Sequence, residues 1–253
     1  MSTTSSLASK RIESLLDESS FVEIGALVTA RATDFNLKQT ETPSDGVVTG
    51  YGVIDGNLVF IYSQDASVLN GSVGEMHAKK IANLYDLAMK TGAPVIGLID
   101  SAGLRLQEAT DALNAFGEIY LKQTLASGVI PQITAIFGSC GGGLALMPTL
   151  TDFTFMEESK AKLFVNAPNT LDGNHVSKCD SASAKFQSEE AGIVDVVADE
   201  ATIYAKIREL VSMLPGNNED DASYEECTDD LNRVCGDLAN CGGHLYLRMI
   251  KKS

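Results

Sequence analysis

The chain has 253 residues and a formal net charge of −15, with 19 Lys and Arg against 34 Asp and Glu. This balance argues against general nucleic-acid binding, which depends on basic surfaces, and no run reaches the roughly 18 uninterrupted apolar residues of a membrane span. The amino-terminal stretch MSTTSSLASKRIESLLDESS lacks the apolar centre of a secretory signal, so we expect a cytoplasmic protein without membrane insertion.

Secondary-structure signals begin near residue 45. Asp55-Gly56 is typical of a two-residue hairpin turn, Ser72 and Glu75 stand at capping-box spacing, and Gly92 is suited to end a helix. In chain order, the predicted elements are a hairpin at 45–65, a helix at 72–92, a strand at 94–100, a helix at 105–127, a strand at 129–137, short strands at 152–157 and 161–166, a helix followed by a strand within 181–200, and a helix at 201–214.

Two of these strand–loop–helix units follow each other, and each has a glycine-bearing turn. This order indicates an α/β fold with crossover connections. We expect a single domain over residues 1–215. Beyond Pro215 the chain becomes acidic and turn-rich, as in GNNEDDASYEECTDDLNR, so residues 216–253 are predicted to form a connector and a carboxy-terminal tail.

The segment GSCGGG at 138–143 places four glycines in six positions after a predicted buried strand. It lacks the lysine of a P-loop, the spacing of a dinucleotide-binding loop and the G-x-S-x-G of a hydrolase elbow. Two interpretations remain open from this loop alone. Its N–H groups hold negative charge at a helix amino terminus, or the glycines allow neighbouring strands to pack closely.

A second loop favours the first interpretation. Ser101-Ala102-Gly103 ends the preceding buried strand and again leads into a helix. Because two adjacent units of this kind can direct N–H groups at one point, we expect the two loops to form an oxyanion hole in an open cleft.

Five segments resemble a known family: DGVVTGYGVIDG, SQDASVLNGSVGEMHAKKI, APVIGLIDSAGLRLQE, ASGVIPQITAIFGSCGGGLALMPTLTDFTFM and LFVNAP. They are similar to the amino-terminal domain of the biotin-dependent acyl-CoA carboxyltransferases, which include the transferase subunits of propionyl-CoA carboxylase, methylmalonyl-CoA carboxyltransferase, and methylmalonyl- and glutaconyl-CoA decarboxylase. The resemblance implies a crotonase-like fold, a β-β-α superhelix, with each catalytic centre lying between domains of different chains.

The resemblance also implies a reaction. A carboxyl group moves between carboxybiotin, on a partner carrier protein, and the α-carbon of a short acyl-CoA, through a thioester enolate whose oxygen needs fixed N–H donors. The chain ends near where the family's second domain begins. It is therefore expected to act as half of an enzyme, with a second carboxyltransferase half and a biotin carrier protein, in a homo- or hetero-oligomer and without a metal.

Site residues are carried over from the family by position. The catalytic backbone amides are expected at Gly103, Leu104, Gly142 and Gly143. Contacts with CoA are expected at Ala102, Gly141, Arg31, Lys38, Lys79 and Lys80. Arg105, Gln107 and Glu108 match the family signature, either to orient the first loop or to touch substrate. The chain departs from the family at Leu104, which replaces a usual alanine, and at Asn70, which interrupts a usual double glycine.

Three alternatives accompany this interpretation. The chain could be a scaffold that binds CoA without turnover. It could be a crotonase-fold hydrolase, with Ser139 or Cys140 as the nucleophile and His175 as the base. A zinc site is disfavoured because the five cysteines show no C-x-x-C spacing, which leaves only Cys227, Cys235, Cys241 and His244 as ligands. His77 is expected to be structural and Cys140 to be a small buried thiol.

Overall fold

Eight strands form one mixed sheet in the computed structural model, which describes residues 6–31 and 41–221. The strands are β1 Val22–Ile24, β2 Val47–Ile54, β3 Asn57–Gln64, β4 Val95–Ser101, β5 Gln132–Gly141, β6 Phe153–Glu157, β7 Lys162–Phe164 and β8 Val196–Ala198. The helices in the same residues are α1 Leu7–Leu15, α2 Glu75–Thr91, α3 Ala109–Ala126, α4 Leu146–Thr149, α5 Ala184–Glu189 and α6 Glu200–Met213. All of these elements belong to one structural unit, Met1–Ala222.

The sheet has an antiparallel edge and a parallel centre. Its strand order is β1-β2-β3-β4-β5-β6-β8, and β7 also pairs with β5. Strands β1 to β3 are antiparallel, whereas β3, β4, β5, β6 and β8 pair in parallel. The carboxyl ends of the parallel strands therefore lie at one edge of the sheet, where the predicted glycine loops emerge.

Helices cover both faces of the sheet, because successive apolar side chains of its strands point to opposite faces and both faces must be buried. On one face, α2 and α3 bury Ile81, Tyr85 and Phe116 against the sheet. On the other face, α1 and α6 bury Ile12 and Ile207. Such two-sided burial is typical of parallel α/β sheets, and it confirms the predicted α/β class.

Most predicted elements are present, with some differences. The hairpin is confirmed, and its turn residues Asp55 and Gly56 both have positive φ. The capping box is wrong, since the cap residue of α2 is Gly74 and no side-chain cap bond is made there. The strand predicted at 129–137 instead spans Gln132–Gly141 and continues into the glycine segment. Three elements, β1, α1 and α4, were not predicted.

Two other expectations concern membranes and the carboxy-terminal region. Among the helices of the described residues, none combines the length and the apolar character needed to cross a bilayer. Most of the predicted connector, and the four residues of the disfavoured zinc site, lie outside the described residues, so the boundary at residue 215 stays a prediction.

Candidate active site

Two loops follow the carboxyl ends of the neighbouring strands β4 and β5. The first runs from Ala102 to Arg105, and the second begins with a 3-10 turn, Gly142–Ala145. A Cβ atom added to Gly103 would lie 2.9 Å from the carbonyl oxygen of Gly141, so the backbones of the two loops touch. The expected juxtaposition of the loops is confirmed, while the role of their amides stays a prediction.

A shift in register between β4 and β5 sets the position of the second loop. Ile99 pairs with Ile136 and Ser101 with Cys140, so β5 advances four residues while β4 advances two. An added Cβ at Gly138 would lie 1.9 Å from Oδ1 of Asp100. Since the Asp100 carboxylate lies directly on the backbone of Gly138, the irregular pairing is possible only without a side chain there.

The Asp100 carboxylate is held by an arginine from the amino-terminal helix. Nη1 of Arg11 lies 3.0 Å from Oδ2 of Asp100, and the guanidinium lies 4.9 Å from the ring centroid of Phe137. Arg11 is buried. The sequence analysis singled out neither member of this pair, because they are far apart in sequence and only the fold brings them together.

The backbone donors of the two loops differ in their partners. The Gly103 N–H donates to Oγ of Ser101 at 3.1 Å, whereas no hydrogen bond in the described part of the chain uses the N–H of Leu104. Gly143 is exposed and is the second residue of its 3-10 turn, and the first N–H groups of a helical turn have no acceptor within it. Leu104 and Gly143 are thus the donors best placed for a ligand.

The first loop is fixed by the buried guanidinium of Arg105, which is 2% exposed. Its Nη1 lies 2.6 Å from Oδ1 of Asp45 and 2.9 Å from Oε1 of Glu108, and its Nη2 donates to the carbonyl of Ser72 at 2.7 Å. Of the two roles open for Arg105 and Glu108, these contacts support orientation of the loop. Gln107 is exposed.

The same two carboxylates cap helix α2. Glu108 accepts a hydrogen bond from the N–H of Glu75 at 2.6 Å, and Asp45 accepts one from the N–H of His77 at 2.7 Å. Burial raises the pKa of Asp45, and the nearby Arg105 acts in the opposite direction. The carboxylates of Asp45 and Glu108, which lie outside the helix, therefore accept hydrogen bonds from its unpaired first N–H groups and offset the positive end of its dipole. They take the place of the predicted Ser72 cap.

His77 is structural, as predicted. Its Nδ1 faces the carbonyl of Asp45 at 3.0 Å and its Nε2 faces Nε2 of Gln64 at 3.2 Å, so the network assigns the proton to Nδ1. Burial, together with the charge of Arg105, lowers the pKa of His77 to about 3. The imidazole is neutral, and the hydrogen bonds of its ring go to Asp45 and Gln64 and not to the two loops.

The predicted CoA-binding cations lie in different environments. The ammonium of Lys80 is buried and donates to the carbonyl and Oγ of Ser44 and to the carbonyl of Val47, and burial lowers its pKa to about 8. Lys80 has no N–H left for a phosphate, so its role is structural. Arg31 and Lys79 are half exposed, and both pair with Glu75. Lys38 lies outside the described residues.

The departure at Asn70 is accommodated by the backbone. Asn70 has φ of +54°, a left-handed conformation that asparagine tolerates better than most residues. Its carbonyl accepts a hydrogen bond from the N–H of Ala102 at 2.9 Å. The departure at Leu104 is accommodated too, because this side chain packs against the core.

The nucleophiles of the hydrolase alternative are poorly placed. The Cys140 thiol is fully buried, and burial raises its pKa far above the usual value. Ser139 and His175 are exposed, but no hydrogen bond in the described part of the chain joins their side chains. Nor do the described residues contain any group of three or more His, Cys, Asp or Glu side chains that could hold a metal ion.

Comparisons with known proteins place these features in a family. The family model described as "Carboxyl transferase domain" matches residues 2–241. Methylmalonyl-CoA decarboxylase subunit alpha of Propionigenium modestum is 43% identical over 229 residues, which are 89% of this chain and 44% of that protein. Propionyl-CoA carboxylase beta chain of Roseobacter denitrificans is 41% identical over 231 residues, 90% of this chain and 45% of the relative.

A solved structure is similar over the same region. The hexameric transcarboxylase 12S, with hydrolysed methylmalonyl-coenzyme A bound, superposes with a TM-score of 0.83 and 36% identity, over 88% of this chain and 44% of that one. The fold is therefore crotonase-like, as the sequence predicted. The chain spans about half the length of the curated relatives it matches.

Proposed function

We propose that this chain, which belongs to the carboxyl transferase domain family, supplies the acyl-CoA half of a biotin-dependent carboxyltransferase site. In the proposed reaction a carboxyl group moves between carboxybiotin on a partner carrier protein and the α-carbon of a short acyl-CoA. The names of its relatives, a propionyl-CoA carboxylase and a methylmalonyl-CoA decarboxylase, support this substrate class. A cytoplasmic location, expected from the sequence, belongs to the same proposal.

The observation that carries the proposal is the contact between the two glycine loops. A thioester oxygen placed between them meets the N–H of Leu104 from one side and that of Gly143 from the other. Gly103 and Gly142, with φ of +98° and +63°, allow the turns that present these donors. Each fixed donor of this kind lowers the barrier to enolate formation by about 3 kcal/mol.

The groups present fit a thioester that is held by its oxygen. The described loops offer backbone donors, the exposed residues Ala102 and Ser139 have small side chains, and the thiol of Cys140, at the end of β5, is buried. The carrier's biotin, when bound, would supply the carboxyl group as carboxybiotin or accept it as free biotin. The residues of this chain hold the acyl-CoA and stabilise the negative charge on its oxygen, which is the part of the reaction that needs no side-chain nucleophile.

An exposed apolar surface beside the loops supports the need for a second carboxyltransferase half. Leu113, Leu121 and Leu125 of α3 are 63%, 56% and 57% exposed, and their spacing of four or eight residues places them along one ridge of the helix. We call this surface the α3 ridge. It is apolar in a strongly acidic chain, as expected for a protein interface.

The test is reconstitution with a second carboxyltransferase half and a biotin carrier protein. We expect the chain alone to bind propionyl-CoA or methylmalonyl-CoA and to transfer no carboxyl group, because the proposed site also requires a second carboxyltransferase half and the biotin carrier. The complete mixture should transfer carboxyl groups when assayed with a panel of short acyl-CoAs. A complete mixture that binds these esters and transfers nothing would favour the scaffold alternative, and full turnover by the chain alone would contradict the half-site.

A further inference from the structure

A tyrosine on α3 contacts the second loop. The hydroxyl of Tyr120 donates a hydrogen bond to the carbonyl of Gly143, and the same carbonyl accepts the N–H of Leu146. The ring of Tyr120 stacks on Phe116, with centroids 5.9 Å apart and an interplanar angle of 25°. Burial raises the pKa of Tyr120, so the hydroxyl keeps its proton and acts as the donor.

The second loop has few other side-chain restraints. No atom lies within 4 Å of a Cβ position added to Gly142, and the nearest atom to the one at Gly143 is the hydroxyl oxygen of Tyr120, at 3.1 Å. Glycine peptides without such contacts rotate easily. An oxyanion donor, in contrast, must be held at its working angle before the substrate arrives.

We propose that Tyr120 is a positioning residue, whose hydroxyl holds the carbonyl of Gly143 and so fixes the backbone of that residue at the angle at which its N–H meets a substrate oxygen. The inference rests on the proposed function for its kinetic consequence, but the restraint of the loop is a property of this chain alone. Tyr120 itself does not touch the reacting atoms. Its hydroxyl is bonded to the carbonyl of the Gly143–Leu144 peptide, and it acts on the N–H of the preceding peptide only through the backbone of Gly143.

The experiment compares Tyr120→Phe with Tyr51→Phe. The first variant removes one hydroxyl and keeps the ring that stacks on Phe116. The second is a matched control, because Tyr51 also belongs to an aromatic pair with centroids 5.9 Å apart, with Phe60 in the β2–β3 hairpin. Backbone order parameters of the Gly142 and Gly143 amides are measured by NMR relaxation in the folded chain. Turnover and KM for propionyl-CoA are measured in the reconstituted complex, and thermal melting is measured for every variant.

We expect Tyr120→Phe to lower the order parameters of the Gly142 and Gly143 amides from about 0.85, typical of rigid backbone, to below about 0.6. It should also lower kcat about tenfold, as for the loss of one hydrogen bond of ordinary strength. KM should stay within about twofold, because the lost contact acts on the oxyanion donor and not on substrate binding as a whole. Tyr51→Phe should change neither measurement. Unchanged order parameters, or lower order parameters without a fall in kcat, would overturn the proposal. If the wild-type complex transfers nothing, the proposed function fails, while the order parameters still decide whether Tyr120 restrains the loop.

Discussion

The glycines between residues 138 and 143 serve different physical purposes. Gly138 makes room for the carboxylate of Asp100, and Gly141 lies where an added Cβ would come within 2.8 Å of the Phe164 ring. Gly142 has open space around it and a left-handed φ of +63°. Close packing therefore accounts for Gly138 and Gly141, while the binding of negative charge by the backbone around Gly142 stays a prediction.

Gly142→Val tests whether the open part of the segment takes part in catalysis. A β-branched residue is strained at φ of +63° and places methyl groups in the space that the thioester oxygen is proposed to enter. We expect kcat of the reconstituted complex to fall by about 100-fold or more, as for a lost oxyanion donor. The affinity for CoA itself should change far less, because an oxyanion donor acts most strongly in the transition state and CoA alone carries no thioester oxygen.

A matched control separates this effect from backbone strain. Gly128 has φ of +73° and likewise no atom within 4 Å of its added Cβ, but it lies after α3, before the amino end of β5. Gly128→Val should lower the melting temperature about as much as Gly142→Val and leave turnover intact. A Gly142→Val protein that melts normally and retains full turnover would remove Gly142 from the mechanism.

The buried imidazole of His77 predicts a pH dependence of stability. Its pKa falls from 6.5 to about 3 in the folded chain, so between these values the unfolded chain binds a proton that the folded chain does not. The contribution of His77 to the free energy of unfolding is then fully present above pH 6.5. It is lost as the pH falls, by up to about 1.4 kcal/mol per pH unit. Urea unfolding at several pH values between 5 and 7 should show a shallower slope for His77→Gln than for wild type.

His175→Gln is the control for this measurement, since His175 is an exposed imidazole. It should leave the slope of stability against pH close to that of wild type. Equal slopes for wild type and His77→Gln would show that another group governs the acid sensitivity.

At the level of elements, the parts of the fold that depend on local sequence were predictable and those that depend on distant contacts were not. The hairpin at Asp55-Gly56 and the strands before both loops follow from turn chemistry and periodicity. The cap of α2 does not, because Glu108 lies 33 residues beyond its donor Glu75. The extent of β5 was missed because two of its last four residues are glycines, and its residues 139–141 pair with β7 through contacts that periodicity does not reveal.

Gly138→Ala tests the packing of β4 on β5. Its Cβ would lie 1.9 Å from Oδ1 of Asp100, so the carboxylate or the strand must move, and we expect a loss of roughly 3 kcal/mol in the free energy of unfolding. Gly117→Ala is the control, because Gly117 lies in α3 with no atom within 4 Å of its added Cβ. That change should stabilise the chain by up to about 1 kcal/mol.

The same substitution in an Asp100→Ala chain tests whether the Asp100 carboxylate causes the loss of stability. In an Asp100→Ala chain the obstructing carboxylate is gone, so adding Gly138→Ala should cost less than about 1 kcal/mol. The two substitutions are thus expected to be strongly non-additive in urea unfolding. An equal loss in both backgrounds would show that Asp100 is not the group that requires a glycine at position 138.

The whole molecule concentrates its functional features at one edge of the sheet. The parallel strands direct both glycine loops to their carboxyl ends, and α1 reaches the same edge from the opposite face through Arg11. Helix α3, which carries the α3 ridge, contacts the second loop through the hydrogen bond of Tyr120 to the Gly143 carbonyl. A partner that docks on the ridge would therefore bind the helix that holds the second loop.

Leu121→Glu tests the α3 ridge as the docking surface for a second carboxyltransferase half. The side chain is 56% exposed, so the charged residue should leave the fold and the binding of propionyl-CoA nearly unchanged. Inside an apolar interface, however, an unpaired carboxylate is costly, and we expect association with the second half to weaken at least about tenfold.

Leu58→Glu is the control, because Leu58 is 40% exposed and lies near the amino end of β3, at the opposite edge of the sheet. Sedimentation of each variant with the second half measures the association. If Leu121→Glu associates as tightly as wild type, the ridge is not the interface, and if both variants lose association equally, the effect is one of net charge and not of docking.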